Sequence, residues 1–349
     1  MKVAVVRNRD NNGIVSRFGQ PCPEVYGRRT VQRVIDALRV NGHTVRCFEG
    51  DMTLLANLEK FMHPDTSTGR PAGMVFNMSY GIQGECRYSP VPAMLEMAGV
   101  PYTGSGPLGH TLALDKVVTK VLIRDAGLPT PNFRVVTRPE QSVDALEFPL
   151  IVKPRHESTS YGLHLVRDPK ELAAAVLNVV TQYQQEALVE EYVDGREICV
   201  ALLGNDRIES LPLVELDFHG RETWMLTWAD KYHKRPDEPT KICPANVTEA
   251  LAQRLREIAI AVFRLCHCRD YARVDIRIDT AGNLFVLEIN SMASLGPGGT
   301  YVLAAKKAGY SFTSLVSRIL DVAHERYFGV GVSRALSCGL GGRASGGHR

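Results

Sequence analysis

The run from Tyr271 to Asn290, Tyr-Ala-Arg-Val-Asp-Ile-Arg-Ile-Asp-Thr-Ala-Gly-Asn-Leu-Phe-Val-Leu-Glu-Ile-Asn, alternates apolar and polar residues on both sides of Ala281-Gly282. Alternation at period two, broken by a glycine turn, predicts a β-hairpin. Closing the turn by pairing Thr280 with Asn283 sets Asp275 opposite Glu288 and Arg273 opposite Asn290. All four side chains then leave one face. Directly opposed residues hold their Cβ atoms about 4.5–5.5 Å apart, a separation at which two carboxylates repel. Oxygen donors from Asp, Glu and Asn suit Mg²⁺, which takes one or two protein carboxylates and completes its shell with phosphate and water. A half-solvated sheet face on which Arg273 and Arg277 neutralise the acids fits the same pattern, and the hairpin by itself does not choose.

A chain of 349 residues with 44% hydrophobic and 23% charged content has room for two or three domains. A net charge of +3, spread evenly, is too mild for a nucleic-acid footprint. No apolar run approaches the ~18 residues that cross a membrane. The N-terminus enters a strand pattern at once, so a cytoplasmic protein without membrane association is expected. The eight cysteines show no framework spacing. Read as part of a strand, the thiols of Cys266-His267-Cys268 could hold a metal only with further, distant ligands, and zinc is not expected.

The first hundred residues read as a parallel α/β unit. Strands are predicted at Lys2–Val6, Val45–Phe48 and Met74–Phe76, and helices over Thr30–Val40 and from about Ala93 to Ala98. No Gly-x-Gly-x-x-Gly follows the first strand, which argues against a dinucleotide fingerprint. Glu24, ahead of the first helix, reads as an exposed charge favoured by the helix dipole. Gly104 to Thr111 nearly spells a phosphate loop, but His110 stands where lysine is required.

A helix from about Leu112 to Ala126 is predicted to carry Lys116 near its start and to stop at Gly127. A domain boundary is expected at Leu128–Asn132. Strand Leu150–Lys153, the loop Pro154–Gly162 and strand Leu163–Val166 follow; the small hydroxyl residues suit an anion, with Lys153 adding charge, or simply a surface hairpin. Asp168, Pro169 and Glu171 start a helix to about Gln182. Strands at Ala187–Val189 and Ile198–Leu203 flank Glu190-Glu191-Tyr192-Val193-Asp194-Gly195-Arg196-Glu197, a solvated connection or a nucleoside site. Thr223–Pro244, with Lys231 and Tyr232, reads as a lid or binding loop. A helix over Thr248–Leu265 precedes the hairpin, two helices follow Thr300, and the last twenty or so residues read as disordered.

With these pieces in order the chain resembles the ATP-grasp enzymes, and among them D-alanine:D-alanine ligase, over roughly residues 1 to 325. The resemblance rests on Pro-Tyr-Thr-Gly-Ser-Gly (101–106), Leu-Asp-Lys (114–116), Ile-Val-Lys-Pro (151–154), Val-Glu-Glu-Tyr-Val-x-Gly-x-Glu (189–197), Asp-Lys-Tyr (230–232), Arg-Val-Asp (273–275) and Leu-Glu-Ile-Asn (287–290). It implies an α/β and α+β protein: an ATP-grasp fold behind an N-terminal Rossmann-like domain. The parts would be 1–110, a central ATP-grasp subdomain 111–210, a C-terminal subdomain 211–327 with the metal site, and a disordered tail 328–349.

By the same resemblance the cofactors would be ATP and two Mg²⁺ ions, with Mn²⁺ as a substitute. Lys116, Lys153 and the loop at Thr159 and Ser160 would meet the phosphates. Glu190, Glu191 and Val193 would meet adenine, and Glu197 the ribose. Asp275, Glu288 and Asn290 would hold the metal, Lys231 and Tyr232 would lie over the reactants, and Glu24 would bind the first substrate's ammonium. Glu24, Ser160, Tyr232 and Arg273 would form the catalytic set, with Arg273 stabilising an oxyanion. The partners would be small amino-acid or amine substrates and a second copy in a homodimer.

The chain departs from the family in both amino-acid pockets. Tyr80-Gly81 replaces a His-Gly pair, followed by Gly84-Glu85 and a two-residue insertion before Met94; Gly299-Thr300 replaces a Ser-Leu pair; and Arg7-Asn8 replaces a glycine pair. Tyr80, Glu85, Gly299 and Thr300 are therefore the expected substrate contacts. The expected activity is ATP-dependent amide formation through an acyl phosphate with altered substrates. A cell-wall D-alanine:D-alanine ligase and a catalytically silent nucleotide-binding regulator are the alternatives.

Overall fold

The computed structural model describes residues 1–9, 13–17, 20–67, 69–221, 224, 225, 230 and 239–329. Lys231, Tyr232 and the expected tail beyond 329 lie outside the described residues.

Strand β1 (Lys2–Arg7) pairs in parallel with β2 (Thr44–Glu49) and β3 (Gly73–Met78), in the order β2-β1-β3. Its apolar run is continuous because both faces are covered. Val3 and Val5 pack with Val31, Val34 and Leu38 of α1 (Arg28–Val40). Ala4 and Val6 pack on α2 (Leu54–Phe61) and α3 (Pro90–Met97). Helix α2 was not expected from the sequence.

The predicted helix over 112–126 is two helices, α4 (Pro107–Leu114) and α5 (Lys116–Asp125). Asp115 leaves helical geometry between them, and its carboxylate accepts from the N–H groups of Val117 and Val118, both at 3.1 Å. Capping the second helix is what divides the segment. It also brings Lys116 to the start of a helix, facing inward.

The middle of the chain forms an antiparallel sheet in the order β4-β7-β5-β6, from Phe133–Val136, Leu150–Pro154 (β5), His164–Val166 (β6) and Ala187–Glu191 (β7). Helix α6 (Pro169–Asn178) covers one face and ends in a π-helical turn over Val179–Tyr183, where one regular helix was expected.

The remaining sheet runs β11-β10-β8-β12-β13, with β9 (Glu209–Ser210) on β8. Its strands are β8 (Gly195–Leu203), β10 (Val214–Asp217), β11 (Thr240–Ile242), β12 (Tyr271–Asp279) and β13 (Leu284–Asn290). Strand β11 lies inside the stretch expected to be all loop. Strands β8 and β9 precede residue 211 yet pair here, so a division by sheets puts the second boundary before Gly195. Along β8 the faces alternate. Ile198, Val200 and Leu202 meet α7 (Glu249–Leu265), while Cys199, Ala201 and Leu203 meet α8 (Thr300–Lys307) and α9 (Phe312–Phe328). Helix α9 continues onto α1, with Arg33 lying 3.9 Å from the Phe312 ring centroid. Among the described residues no helix is long and apolar enough to cross a membrane.

One buried carboxylate ties the N-terminal unit to the last helix. Asp270 is fully buried and left-handed (φ 64) ahead of β12. It accepts from the Gly104 N–H at 2.8 Å, from Asn205 at 2.9 Å and from Arg326 at 2.9 and 3.0 Å. Removing one partner of a buried pair leaves an uncompensated charge. Arg326→Ala is therefore expected to lower unfolding free energy by about 3–5 kcal/mol. Arg318→Ala, which breaks the more exposed pair with Glu325, should cost under about 1 kcal/mol. Urea denaturation of both variants checks the contrast.

Candidate functional site

The hairpin carries the two acids face to face by a route the sequence did not indicate. Its turn is one residue longer than expected: Asp279 pairs with Asn283 around Thr280–Gly282, and Gly282 takes φ 84. The Asp279 carboxylate closes the turn by accepting from the N–H groups of Ala281 (2.9 Å) and Asn283 (2.7 Å). That register, Ile276 to Val286, would not oppose Asp275 and Glu288. The register shifts by one residue between Asp275 and Ile276, leaving Leu287 as the extra residue of a bulge on β13. Beyond it Asp275 faces Glu288 and Arg273 faces Asn290.

The acids are held by the protein's own donors. Arg273 grips Asp275 with two bonds of 2.7 Å. The Asn290 amide donates to Asp275 at 3.0 Å and to Glu288 at 3.4 Å, and Lys116 Nζ lies 3.9 Å from Glu288. Burial lowers the Lys116 pKa, and Glu288 offsets part of that. For Arg273 burial opposes the charge, but Asp275 outweighs it and the guanidinium is held firmly ionised. His110, buried in α4, bonds Ser291 at 2.8 Å and so anchors the end of β13. Burial pushes its pKa down to about 3, and this neutral imidazole stands where a phosphate loop has lysine.

A cavity of about 500 Å³ opens over these carboxylates. One wall is the loop after β5, where Lys153, Thr159 and Ser160 line the space. Thr159 and Ser160 are both left-handed (φ 56 and 60), a strained conformation, above all for a β-branched residue. Gly162 permits the turn, since a Cβ there would lie 2.7 Å from Pro154 and Tyr183. Lys116 Nζ donates to the Glu157 carbonyl, joining α5 to this loop.

At the far end Glu190, Glu191, Val193 and Glu197 line the cavity. The Glu190 carboxylate is enclosed by two ammonium groups, Lys153 and the fully buried Lys120 at 2.7 Å. Burial alone would raise its pKa, but the two lysines override that and hold it at about 2. Glu191 accepts from Asn132 at 2.9 Å. The Val193 carbonyl accepts from Arg277 at 3.0 Å, and Glu197 from the same guanidinium at 3.0 and 3.2 Å. Arg277 thus neutralises Glu197 rather than the hairpin acids.

The third region is where the chain departs from the family it resembles. Glu24, expected to be an exposed helix-end charge, is 7% exposed and lines the cavity with Tyr80. Its Oε2 accepts from the hydroxyls of Tyr88 and Ser158. Tyr80 stacks on Tyr26 with ring centroids 4.8 Å apart. Glu85 does not fit its expected role: it is exposed and does not line the cavity, and the following Arg87 and Tyr88 turn inward instead. On the opposite side, Gly299 and Thr300 line the cavity at the start of α8. The buried Thr300 hydroxyl has no partner among the described residues, and Lys241 donates to the Gly298 carbonyl at 2.8 Å.

Cys266 and Cys268 sit in the turn that ends α7, not on a strand, and burial pushes the Cys266 thiol up to about 12. Among the described residues no cluster of three His, Cys, Asp or Glu side chains could hold a metal. Asp275, Glu288 and Asn290 differ in kind, being two acids and an amide. Sequence reasoning missed Lys120, Tyr88, Ser158 and Arg87. Lys120 had a signal: one helical turn after Lys116, it shares that residue's inward face.

Residues 122–321 match the family model described as "D-ala D-ala ligase C-terminus". The chain is 34% identical over 300 residues to the D-alanine–D-alanine ligase of Alcanivorax borkumensis, covering 86% of this chain and 92% of that one. It is 54% identical over 336 residues to the uncharacterized protein y4sG of Sinorhizobium fredii, covering 95% and 99%. Its structure resembles that of the D-alanine–D-alanine ligase from Bacillus anthracis complexed with ATP, with a TM-score of 0.72 and 21% identity over 93% of this chain and 98% of the other.

The Glu190 cluster has a pH signature. Its pKa is depressed on folding, so the stabilisation is complete above the ordinary glutamate range and is lost as pH falls from there to about 2. Urea midpoints should fall across that window, and less steeply in Glu190→Gln. At neutral pH that variant, with two buried lysines facing an amide, is expected to lose about 3 kcal/mol.

Proposed function

Since the chain belongs to the D-alanine–D-alanine ligase family and is an ATP-dependent ATP-grasp ligase, we propose that it joins a carboxylic acid to an amine through an acyl phosphate, with a substrate pair other than two D-alanines. The observation that carries this reading is Asp275 facing Glu288, with Arg273 and Lys116 beside them, under the cavity. The altered substrates are supported by Tyr80, Thr300 and the inward-turned Arg87 and Tyr88. The relatives named D-alanine–D-alanine ligases favour the second reading, two D-alanines.

In the proposed reaction an oxygen of the donor carboxylate attacks the γ-phosphorus of ATP and ADP leaves. The acceptor nitrogen then attacks the acyl carbon, loses a proton and expels phosphate. Lys116 and Lys153 supply positive charge to the phosphates. The loop at Thr159 and Ser160, with Lys231 and Tyr232 of the 223–244 segment, keeps water from the acyl phosphate. Glu190, Glu191 and Val193 form the adenine end and Glu197 meets the ribose. Glu24 meets the donor, and Gly299 and Thr300 receive the acceptor.

Asp275, Glu288 and Asn290 offer the oxygen donors that Mg²⁺, or Mn²⁺, prefers. Two such ions, when bound, would neutralise charge on the transferring phosphoryl group. For this Arg273 must loosen its grip on Asp275 and the Asn290 amide must present its oxygen. Arg273, once freed, stabilises the oxyanion formed when the amine adds. Loss of one such donor typically costs ~3–4 kcal/mol, a factor of 10²–10³ in rate.

The test is a screen of acid and amine pairs for ATP-dependent phosphate release, with the product identified by mass. Arg273→Ala should run at about 10⁻² to 10⁻³ of the wild-type rate with the native circular dichroism spectrum and a lowered urea midpoint, since Asp275 loses its partner. Wild-type turnover with no pair, or full turnover in the variant, would refute the assignment. The reading extends to a cytoplasmic homodimer, which light scattering should register as twice the chain mass of 38.5 kDa.

A further inference from the structure

The inserted segment between β3 and α3 sends a buried cation to the back of the expected donor pocket. Gly81 makes the path possible: it adopts φ 80, and a Cβ there would lie 1.7 Å from the Arg87 carbonyl oxygen. Arg87 is 2% exposed. Its guanidinium donates to the His156 carbonyl at 2.7 Å, to Glu157 at 3.3 Å and to Ser158 at 3.2 Å, and lies 3.8 Å from Glu24. Its Nε is buried with no hydrogen-bond partner among the described residues.

This arrangement changes what Glu24 can recognise. A lone carboxylate at the end of a pocket is a site for an ammonium group. Here the same oxygen of Glu24 takes the Tyr88 and Ser158 hydroxyls and faces the Arg87 cation. Arg87 lies 3.8 Å from Glu24 and 3.3 Å from Glu157, so the charge of Glu24 is partly offset within the protein. An incoming ammonium would meet a carboxylate whose charge Arg87 already offsets in part, and would sit near a desolvated guanidinium, where like charges repel strongly. A neutral hydroxyl or amide N–H can still donate to the other oxygen of Glu24 without that penalty.

We propose that Arg87 sets the charge preference of the donor pocket, selecting an α-carboxylic acid that carries a neutral hydrogen-bonding group, a hydroxyl or an acylated nitrogen, where a free amino acid carries its ammonium. This rests on the ligase reading above. It names the donor class and makes Arg87 a specificity residue acting through Glu24.

The test uses hydroxylamine to trap the acyl phosphate, so that no acceptor need be known. The full chain is given ATP, Mg²⁺ and matched donors: D- and L-amino acids, their 2-hydroxy analogues and their N-acetyl derivatives. Hydroxamate and ADP are measured for wild type, Arg87→Gln and Arg87→Lys. Wild type should use the hydroxy or N-acetyl acid at least tenfold better in kcat/KM than the parent amino acid; which of the two leads identifies the neutral group. Arg87→Lys should keep the preference, and Arg87→Gln should narrow or invert it.

Wild-type preference for the free amino acid overturns the proposal even if neither variant folds. So does an equal loss for all donors in Arg87→Gln with a raised KM for ATP, which would mean that Arg87 only holds the 155–160 loop. No hydroxamate and no ADP from any acid would instead overturn the ligase reading, and the proposal with it.

Discussion

The repulsion between Asp275 and Glu288 is the constraint around which the rest of the protein is arranged. Two acids on directly opposed strand positions are unfavourable unless something cationic joins them. Arg273 comes from the same strand, Lys116 from the first turn of α5 and the Asn290 amide from the partner strand. Each donor needs its own support. Lys116 reaches the hairpin only because Asp115 breaks the preceding helix, and Asn290 is fixed because Ser291 is tied to His110. The protein thus satisfies its acids internally, and in the proposed reaction a divalent cation would compete with Arg273 for Asp275.

The same pairing of charges continues along the cavity. Glu190 is enclosed by Lys120 and Lys153, Glu197 is gripped by Arg277, and Asp115 is shared by Arg155 and His156. Burial opposes the Asp115 charge, yet its hydrogen bonds to His156 and Arg155 hold the carboxyl well below its usual range. A wall built this way keeps its side chains in fixed positions before any ligand arrives, which is the preorganisation that phosphoryl transfer demands.

Much of this was legible because the decisive signals are periodic. Alternation gave the hairpin, and the apolar runs gave the buried strands of the N-terminal sheet. The opposition of the acids was reached through two errors that cancel, a turn one residue too short and a missed bulge at Leu287. A bulge has no composition of its own, so the second was beyond reach. The first was not, since Asp279 ahead of Thr-Ala-Gly is the kind of side chain that closes a turn on its own backbone. Lys120 was hidden by habit rather than by physics, because a lysine on a helix is read as solvated until a buried acid is found opposite. The inward turn of Arg87 and Tyr88 depends on tertiary packing around Gly81, and nothing local announces it.

The loop after β5 joins these threads. Its strained Thr159 and Ser160 are the residues nearest the expected phosphates, yet its tethers run to the amino-acid pocket: Ser158 to Glu24, and the His156 carbonyl to Arg87. Movement of this loop must break hydrogen bonds to the donor site, and any group that displaces Ser158 from Glu24 must loosen the loop. On the proposed reading, nucleotide and donor pockets would thus be one mechanical unit, although they are assembled from different sheets. A change in donor chemistry cannot then be made by altering the pocket floor alone. On the proposed reading it would have to include something that re-ties the loop, and Arg87, reaching both Glu24 and the loop backbone, does that with a single side chain.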